Sequence, residues 1–161
     1  MEKAKKMEAM TIQVNKQQIG KCGELLVQYR LLLNGIESSQ LTTDYGIDLV
    51  AYSPRKKEAI TIQVKTCSEP KPGGGKGKLA LDWWLRDDSP AQIIALVDLS
   101  SERIWMFTFE EFHDMAQQHP KGRYHLYMYT DHNVVSRHSR SVLDSDFESY
   151  LLENRVDHLF Y

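Results

Sequence analysis

Two short apolar runs joined by a charged turn constrain the fold of this chain more than any other part of its sequence. The first run reads GIDLVAY and contains Asp48, and the second reads ITIQVKT and contains Gln63 and Lys65. The segment between them, SPRKKE, holds Pro54 and four charged residues, which cannot continue a central strand. We therefore predict two antiparallel strands joined by this turn.

Strand geometry predicts that the polar side chains of this hairpin lie together. Side chains alternate between the two faces of a strand, so Gln63 and Lys65 share a face and the apolar residues beside them share the other. Antiparallel pairing can then bring Asp48 to the same place. Mg²⁺ prefers one or two carboxylates together with water and phosphate oxygens. Asp48 can supply a carboxylate and Gln63 a neutral oxygen, while Lys65 can orient or deprotonate a water molecule or stabilise a phosphorane. These groups suit hydrolysis of a phosphodiester bond.

At these residues the chain resembles the PD-(D/E)XK nuclease superfamily. The segment GKCGELLVQYRLLLNG is similar to the first helix of the family, and the metal-binding glutamate of that helix corresponds to Glu24. GIDLVAY matches the aspartate strand at Asp48, and QVK matches the (D/E)XK element at Gln63 and Lys65. The resemblance implies that all four residues are catalytic and that Glu24, Asp48 and Gln63 hold the metal.

The resemblance runs over about residues 19–66, with weaker similarity to about residue 112. Within the superfamily the chain resembles archaeal-type Holliday junction resolvases and the homing-endonuclease branch that has glutamine at the acidic position. It implies an α/β fold, namely a single restriction-endonuclease-like domain with a central mixed β-sheet flanked by helices. It further implies Mg²⁺ (alternatively Mn²⁺) as cofactor, DNA as partner, and a homodimer or higher homo-oligomer.

One position departs from the family pattern. Gln63 replaces an acid, which removes a negative charge and should weaken metal binding unless Glu24 or Asp44 compensates. For Asp44, in TTDYG, a turn role is favoured because Asp and Gly are common turn formers. Three functions stay open: a Mg²⁺-dependent endodeoxyribonuclease, a nuclease-fold DNA- or protein-binding module without turnover, and an RNA-directed nuclease.

The charge of the chain is divided unequally along its length. Residues 1–78 carry 13 Lys and Arg against 8 Asp and Glu, a net of +5, whereas residues 79–161 carry 7 against 14, a net of −7. Phosphate neutralisation by basic side chains supplies most sequence-independent affinity for DNA, so DNA contacts are expected in the first part. The candidates lie in the hairpin turn and in the glycine-rich segment SEPKPGGGKGK, and they are Arg55, Lys56, Lys57, Lys71, Lys76 and Lys78. That segment, residues 68–78, is expected to be a flexible basic loop beside the site or a disordered connector.

Composition indicates one domain over residues 1–161, with a flexible tail at 1–14. At 161 residues and 42% hydrophobic, the chain is long enough for one core and short for two. No apolar run reaches the roughly 18 residues of a membrane span, and the charged start lacks the apolar segment of a signal peptide. A cytoplasmic protein is therefore expected. Cys22 and Cys67 match no zinc spacing and are expected to be thiols.

The rest of the chain predicts further helices and strands. A helix is expected over Asn15–Leu33, ended by Gly35, and a short helix over Leu79–Arg86 containing Trp83 and Trp84. Strands are expected at AQIIALVDL, RIWMFTF and RYHLYMYT, with a helix at EEFHDMAQQH. The segment DSDFESYLLENRVDHLF is predicted to form one amphipathic helix, and it is the candidate dimer surface.

Overall fold

Two β-sheets and three α-helices make up the part of the chain that the computed structural model describes, residues 13–43, 45–135 and 140–161. The candidate Asp44 and most of the predicted tail lie outside these residues. In chain order the elements are helix α1 (Lys16–Leu33), strands β1 (Glu37–Gln40), β2 (Leu49–Ser53), β3 (Glu58–Cys67), β4 (Lys71–Pro72), β5 (Leu79–Arg86), β6 (Ile93–Asp98) and β7 (Arg103–Thr108), helix α2 (Phe109–Met115), strand β8 (Arg123–Tyr129) and helix α3 (Leu152–Phe160). Short 3-10 helices cover Gly73–Gly75 and Asp144–Tyr150.

The larger sheet is mixed and has the strand order β1-β2-β3-β6-β7. Strands β3 and β6 are parallel, and the other neighbours in this sheet are antiparallel. The smaller sheet has the order β4-β5-β8 and is antiparallel. The expected central mixed sheet flanked by helices is confirmed, and the smaller sheet is an addition that the sequence pattern did not predict.

Each face of the larger sheet is covered by its own apolar core. Helices α1 and α3 pack on one face, where Val27 and Phe160 are fully buried with Ile62 of β3. The smaller sheet and α2 pack on the other, where Trp83 of β5 meets Trp105 of β7 edge to face, with ring centroids 5.8 Å apart. Because side chains alternate along β3, Gln63 and Lys65 face the second core and the smaller sheet, whereas Thr66 faces α1.

Helix α1 begins and ends at the residues that the sequence predicts. Asn15 caps it by accepting a hydrogen bond from the Gln18 backbone, and the Gln18 side chain accepts one from the Asn15 backbone. At the other end the chain turns at Gly35, whose φ of +76° is the left-handed conformation that favours glycine. The predicted helix over Asn15–Leu33 is therefore confirmed.

The helix predicted over Leu79–Arg86 is wrong, because this segment forms strand β5. Leu81, Trp83 and Leu85 are buried, whereas Asp82, Trp84 and Arg86 are exposed. This alternation has the period of two that identifies a half-buried strand. The neighbouring tryptophans therefore face opposite sides of the smaller sheet.

The helix predicted over the last part of the chain is interrupted. Residues Asp144–Tyr150 form a 3-10 helix, Leu151 is extended, and α3 begins at Leu152. The break occurs because Leu151 forms a β-bridge with Trp105 of the central sheet. The apolar side of α3 is buried in the core through Val156, Leu159 and Phe160, so this side is not available to a second chain, and the dimer surface stays a prediction for the exposed side.

Two further segments differ from their predictions in extent. Helix α2 ends at Met115, four residues early, because the Gln117 side chain hydrogen-bonds both the amide nitrogen and the carbonyl of Tyr127 in β8. The predicted loop at 68–78 contains strand β4 and a turn in which the Gly73 amide donates to the Lys78 carbonyl at 2.9 Å. Its flexibility stays a prediction.

Candidate functional site

The β2–β3 hairpin places Asp48 beside Gln63. Leu49 pairs with Ile62, and Asp48 precedes Leu49 directly, so one step along the antiparallel register brings Asp48 opposite Gln63. The Asp48 amide still donates to the Ile62 carbonyl at 2.9 Å, which holds the residue against β3 although β2 begins after it. The backbone position of Asp48 is therefore fixed by the strand that carries Gln63 and Lys65.

The Asp48 carboxylate is held by the backbone between the two candidate residues of β3. Its Oδ2 atom accepts a hydrogen bond of 2.6 Å from the amide of Val64, the residue between Gln63 and Lys65. A hydrogen bond to a carboxylate is stronger than one between neutral groups, so this contact orients the carboxylate firmly. The negative charge consequently lies at the strand edge where the Gln63 and Lys65 side chains emerge.

Gln63 and Lys65 open into one cavity of about 480 Å³. Both are half-buried and share the face of β3 that is opposite to α1. The remaining walls come from two loops and the end of β5: Tyr45, Gly46, Arg86, Asp88, Ser89 and Pro90. Gln63 Oε1 accepts a hydrogen bond of 2.8 Å from Ser89 Oγ, which fixes the amide at the cavity wall. The cavity therefore combines an ammonium group, an amide oxygen and room for a substrate phosphate.

Glu24 lies on helix α1, which packs on the face of β3 opposite to Gln63 and Lys65. This helix approaches β3 so closely that a Cβ added at Gly23 would lie 1.9 Å from Thr66 Oγ1. The Glu24 side chain is largely buried and is ion-paired with Lys21, whose ammonium also donates to the Gln40 amide oxygen at 3.2 Å. The structure therefore joins Asp48 to the strand segment of Gln63 and Lys65, and it places Glu24 in a separate contact with Lys21.

The donor set fits a hard, oxygen-preferring cation. Asp48 offers a carboxylate and Gln63 an amide oxygen that retains a second lone pair beside its bond to Ser89. Among the described residues, no group of three or more His, Cys, Asp or Glu side chains is arranged to hold a metal ion. A cation here would have fewer anionic ligands than a site with two or three acids.

The basic turn of the hairpin lies far from this cavity. Lys57 directly precedes β3 and lies six positions before Gln63, which corresponds to roughly 20 Å at the rise of an extended strand. The Lys56 ammonium donates to the Leu159 carbonyl at 2.8 Å, and the Arg55 guanidinium lies 4.9 Å from the centre of the Tyr161 ring. Two of the three predicted DNA-contacting residues of this turn therefore also hold the C-terminal end of the chain.

The basic residues of the glycine-rich segment accompany the smaller sheet. Lys71 is in β4 and lines a cavity of about 210 Å³ with His125, Tyr127 and Tyr129. Lys76 is exposed, and the Lys78 ammonium lies 3.1 Å from Asp131. The structure places Lys71 beside aromatic residues of the smaller sheet, and none of these three lysines lines the cavity of Gln63.

The residues that form the rim of the cavity were not among those predicted from the sequence. Arg86, Asp88 and Ser89 reach it because β5 is a strand whose end lies beside β3, and a helix over this segment would have directed them elsewhere. The alternation of LALDWWLR, followed by the turn residues of DDSP, was the available signal. Both cysteines are free thiols: Cys22 is exposed, and burial raises the pKa of Cys67 to about 11.

Comparison with known proteins identifies structures of similar fold and low sequence identity. No protein-family model and no curated protein matches the chain. Among solved structures, the bacterial homing endonuclease I-Ssp6803I superposes with a TM-score of 0.57 at 13% sequence identity, over 89% of this chain and 93% of that one. The Holliday junction resolvase Hjc of Archaeoglobus fulgidus matches with a TM-score of 0.47 at 17% identity, over 66% of this chain and 82% of that one. In the described residues no helix is long and apolar enough to cross a membrane. The chain therefore shares the fold of the homing endonuclease I-Ssp6803I, as the resemblance of its sequence motifs predicts.

Proposed function

We propose that this chain is a Mg²⁺-dependent endonuclease that hydrolyses phosphodiester bonds of DNA. One observation carries the proposal: the Asp48 carboxylate is bonded to the Val64 amide, between two residues whose side chains open into one cavity. An acid, an amide oxygen and an ammonium group gathered at one strand edge serve no evident packing purpose. The nuclease fold adds support, since that edge corresponds to the motif by which the sequence resembles the family.

Each residue has a separate task in this proposal. Asp48 and Gln63 supply oxygen ligands, and Glu24 adds a second carboxylate when it exchanges Lys21 for the cation. Half of the Lys21 side chain is exposed, whereas Glu24 is largely buried, so the exchange moves Lys21 and leaves Glu24 in place. Lys65 donates a hydrogen bond to the attacking water or to the charge that develops on the phosphorus oxygens.

A bound Mg²⁺ would polarise the phosphate and lower the pKa of a coordinated water. The protein contributes the arrangement around it. Hydrogen bonds from Val64 and Ser89 hold the Asp48 and Gln63 oxygens in place before substrate arrives, so little reorganisation is needed during the reaction. Mn²⁺, which also accepts oxygen ligands, is the alternative ion.

A binding module without turnover is the second candidate function. It is favoured by the neutral Gln63 and by the ion pair that engages Glu24, which leave Asp48, among the described residues, as the one carboxylate hydrogen-bonded to the backbone of β3. Such a module would retain the cavity and its affinity for phosphate groups. It differs from the nuclease in one respect that is easily measured, since it would bind DNA and leave it intact.

Two cuts in antiparallel strands require two centres related by a two-fold axis, so the proposal includes a homodimer. Light scattering coupled to size exclusion, with and without DNA, measures the oligomeric state directly. A monomer in both conditions would restrict the activity to nicking one strand.

Nicking of supercoiled plasmid tests the function. The purified chain should convert plasmid to nicked and then linear forms in Mg²⁺ or Mn²⁺, and EDTA should stop the conversion. A gel-shift assay in EDTA runs in parallel. DNA that is bound yet uncut in both metals would establish the binding module, and RNA cut in preference to DNA would establish the third function.

A further inference from the structure

Arg86, an exposed arginine that lines the cavity, is hydrogen-bonded to the carboxylate of Asp88. Arg86 donates to Asp88 through Nε at 2.9 Å and through Nη2 at 2.7 Å, so the carboxylate is held in the two-pronged geometry that guanidinium groups also use for phosphate. Both side chains are mostly exposed, at 80% and 63%, and both line the cavity of Gln63 and Lys65.

A second arginine lies directly across the smaller sheet. Arg86 of β5 pairs with Arg123 of β8, so the two side chains emerge on the same face. Like charges directly opposite each other destabilise a sheet. The Arg123 guanidinium lies 4.2 Å from the centre of the Trp84 ring, a contact that holds it without neutralising it. Arg86 therefore lines the cavity and Arg123 lies beside it on β8, so two guanidinium groups and the Asp88 carboxylate stand together at this end of the smaller sheet.

We propose that Arg86 and Arg123 bind the sugar-phosphate backbone of the nucleic acid at the rim of the cavity, and that Asp88 occupies the phosphate position of Arg86 in the free protein. The inference rests on the proposed function, because the phosphate belongs to the same substrate that Lys65 would act on. The ligand is a phosphodiester group, so the contact is independent of base sequence.

The physical basis is an exchange of one anion for another. The Arg86 guanidinium lowers the pKa of the Asp88 carboxyl, so Asp88 is ionised at neutral pH and competes with phosphate. Exposed ion pairs contribute little, so a polyanion with several simultaneous contacts displaces the carboxylate readily. Asp88 thereby preserves the orientation of Arg86 and reduces its affinity for isolated anions.

The adjacent acid provides a matched control. Asp87 and Asp88 are both exposed and both carry one negative charge, but the described side-chain hydrogen bonds of Arg86 go to Asp88. Asp88→Ala and Asp87→Ala therefore change the net charge equally, and only the first releases Arg86. DNA affinity is measured by fluorescence anisotropy with a labelled duplex in EDTA, where cleavage does not interfere, over a series of salt concentrations.

Asp88→Ala should tighten binding by about two- to fivefold at low salt, and Asp87→Ala should tighten it less. Arg86→Ala and Arg123→Ala should each weaken binding on every sequence and reduce the slope of log affinity against log salt by about one. Thermal unfolding of each variant checks that the fold is retained. Equal effects of Asp88→Ala and Asp87→Ala, or an unchanged salt slope in Arg86→Ala, would overturn the inference while the endonuclease proposal stands. A wild-type chain that binds no nucleic acid would overturn both.

Discussion

The two glycines of helix α1 should respond in opposite directions to the same substitution. A Cβ at Gly23 would meet Thr66 of β3 at 1.9 Å from Oγ1 and at 2.9 Å from both Cβ and Cγ2. A rotation of the Thr66 side chain cannot relieve all three contacts, so the helix must move off the strand. A Cβ at Gly20, one turn earlier, would meet nothing within 4 Å.

The expected magnitudes follow from two opposing effects. Replacing a helical glycine by alanine stabilises by up to about 1 kcal/mol through backbone entropy, and this gain applies to both positions. Overpacking costs roughly 1–3 kcal/mol, and the three short contacts put Gly23→Ala at the upper end or beyond. Gly20→Ala should therefore raise stability by up to about 1 kcal/mol, whereas Gly23→Ala should lower it by about 2 kcal/mol or more.

Thermal unfolding followed by circular dichroism measures both variants. For a chain of this length, 1 kcal/mol corresponds to roughly 2–4 °C, so Tm should fall by about 4–8 °C in Gly23→Ala and rise by about 2–4 °C in Gly20→Ala. Adding Thr66→Ala to Gly23→Ala should restore part of the loss, because it removes Oγ1 and Cγ2. Equal Tm values for the two glycine variants would refute the close approach of α1 to β3, and with it the position of Glu24.

Three further predictions concern single side chains. Gln63→Glu should lower by several-fold the Mg²⁺ concentration that gives half-maximal nicking, since it adds a charge to the proposed ligands; an unchanged dependence would remove Gln63 from the site. Ser89→Ala should raise that concentration, because the Gln63 amide loses the hydroxyl that orients its oxygen; a titration identical to wild type would assign Ser89 no positioning role. Burial raises the pKa of Cys67 to about 11, so about one Cys67 thiol in a thousand is ionised at pH 8. Iodoacetamide should therefore label the exposed Cys22 first, as measured by mass spectrometry. Equal labelling rates of the two cysteines would contradict the burial of Cys67.

The central part of the fold was predictable because its signals are local. The turn SPRKKE and the apolar runs beside it define the β2–β3 hairpin, and the period of two in β3 assigns Gln63 and Lys65 to one face. Helix α1 carries its own start and stop signals in Asn15 and Gly35. These features depend on neighbouring residues and need no knowledge of the rest of the molecule.

The features that were missed depend on contacts distant in sequence. The alternation of LALDWWLR indicates strand β5, but the pairing with β8 that fixes the strand is distant in sequence, as is the bridge from Leu151 to Trp105 that breaks the C-terminal helix. The ion pair of Glu24 with Lys21 depends on side-chain conformation, which motif spacing does not specify. The role of Arg86 was missed because its segment was predicted to be a helix, whereas Arg86 reaches the cavity from the end of a strand.

The rate of plasmid nicking by Lys65→Ala decides whether the cavity of Gln63 and Lys65 is the catalytic centre of a nuclease. Lys65 lines the cavity beside the Asp48 carboxylate, whereas Lys16, at the start of α1, is an exposed lysine suited to the control substitution Lys16→Ala. We expect a loss of about a hundredfold or more in the Mg²⁺-dependent rate for Lys65→Ala, with DNA affinity in EDTA largely retained and Lys16→Ala close to wild type. Nicking by Lys65→Ala at the wild-type rate would contradict the mechanism.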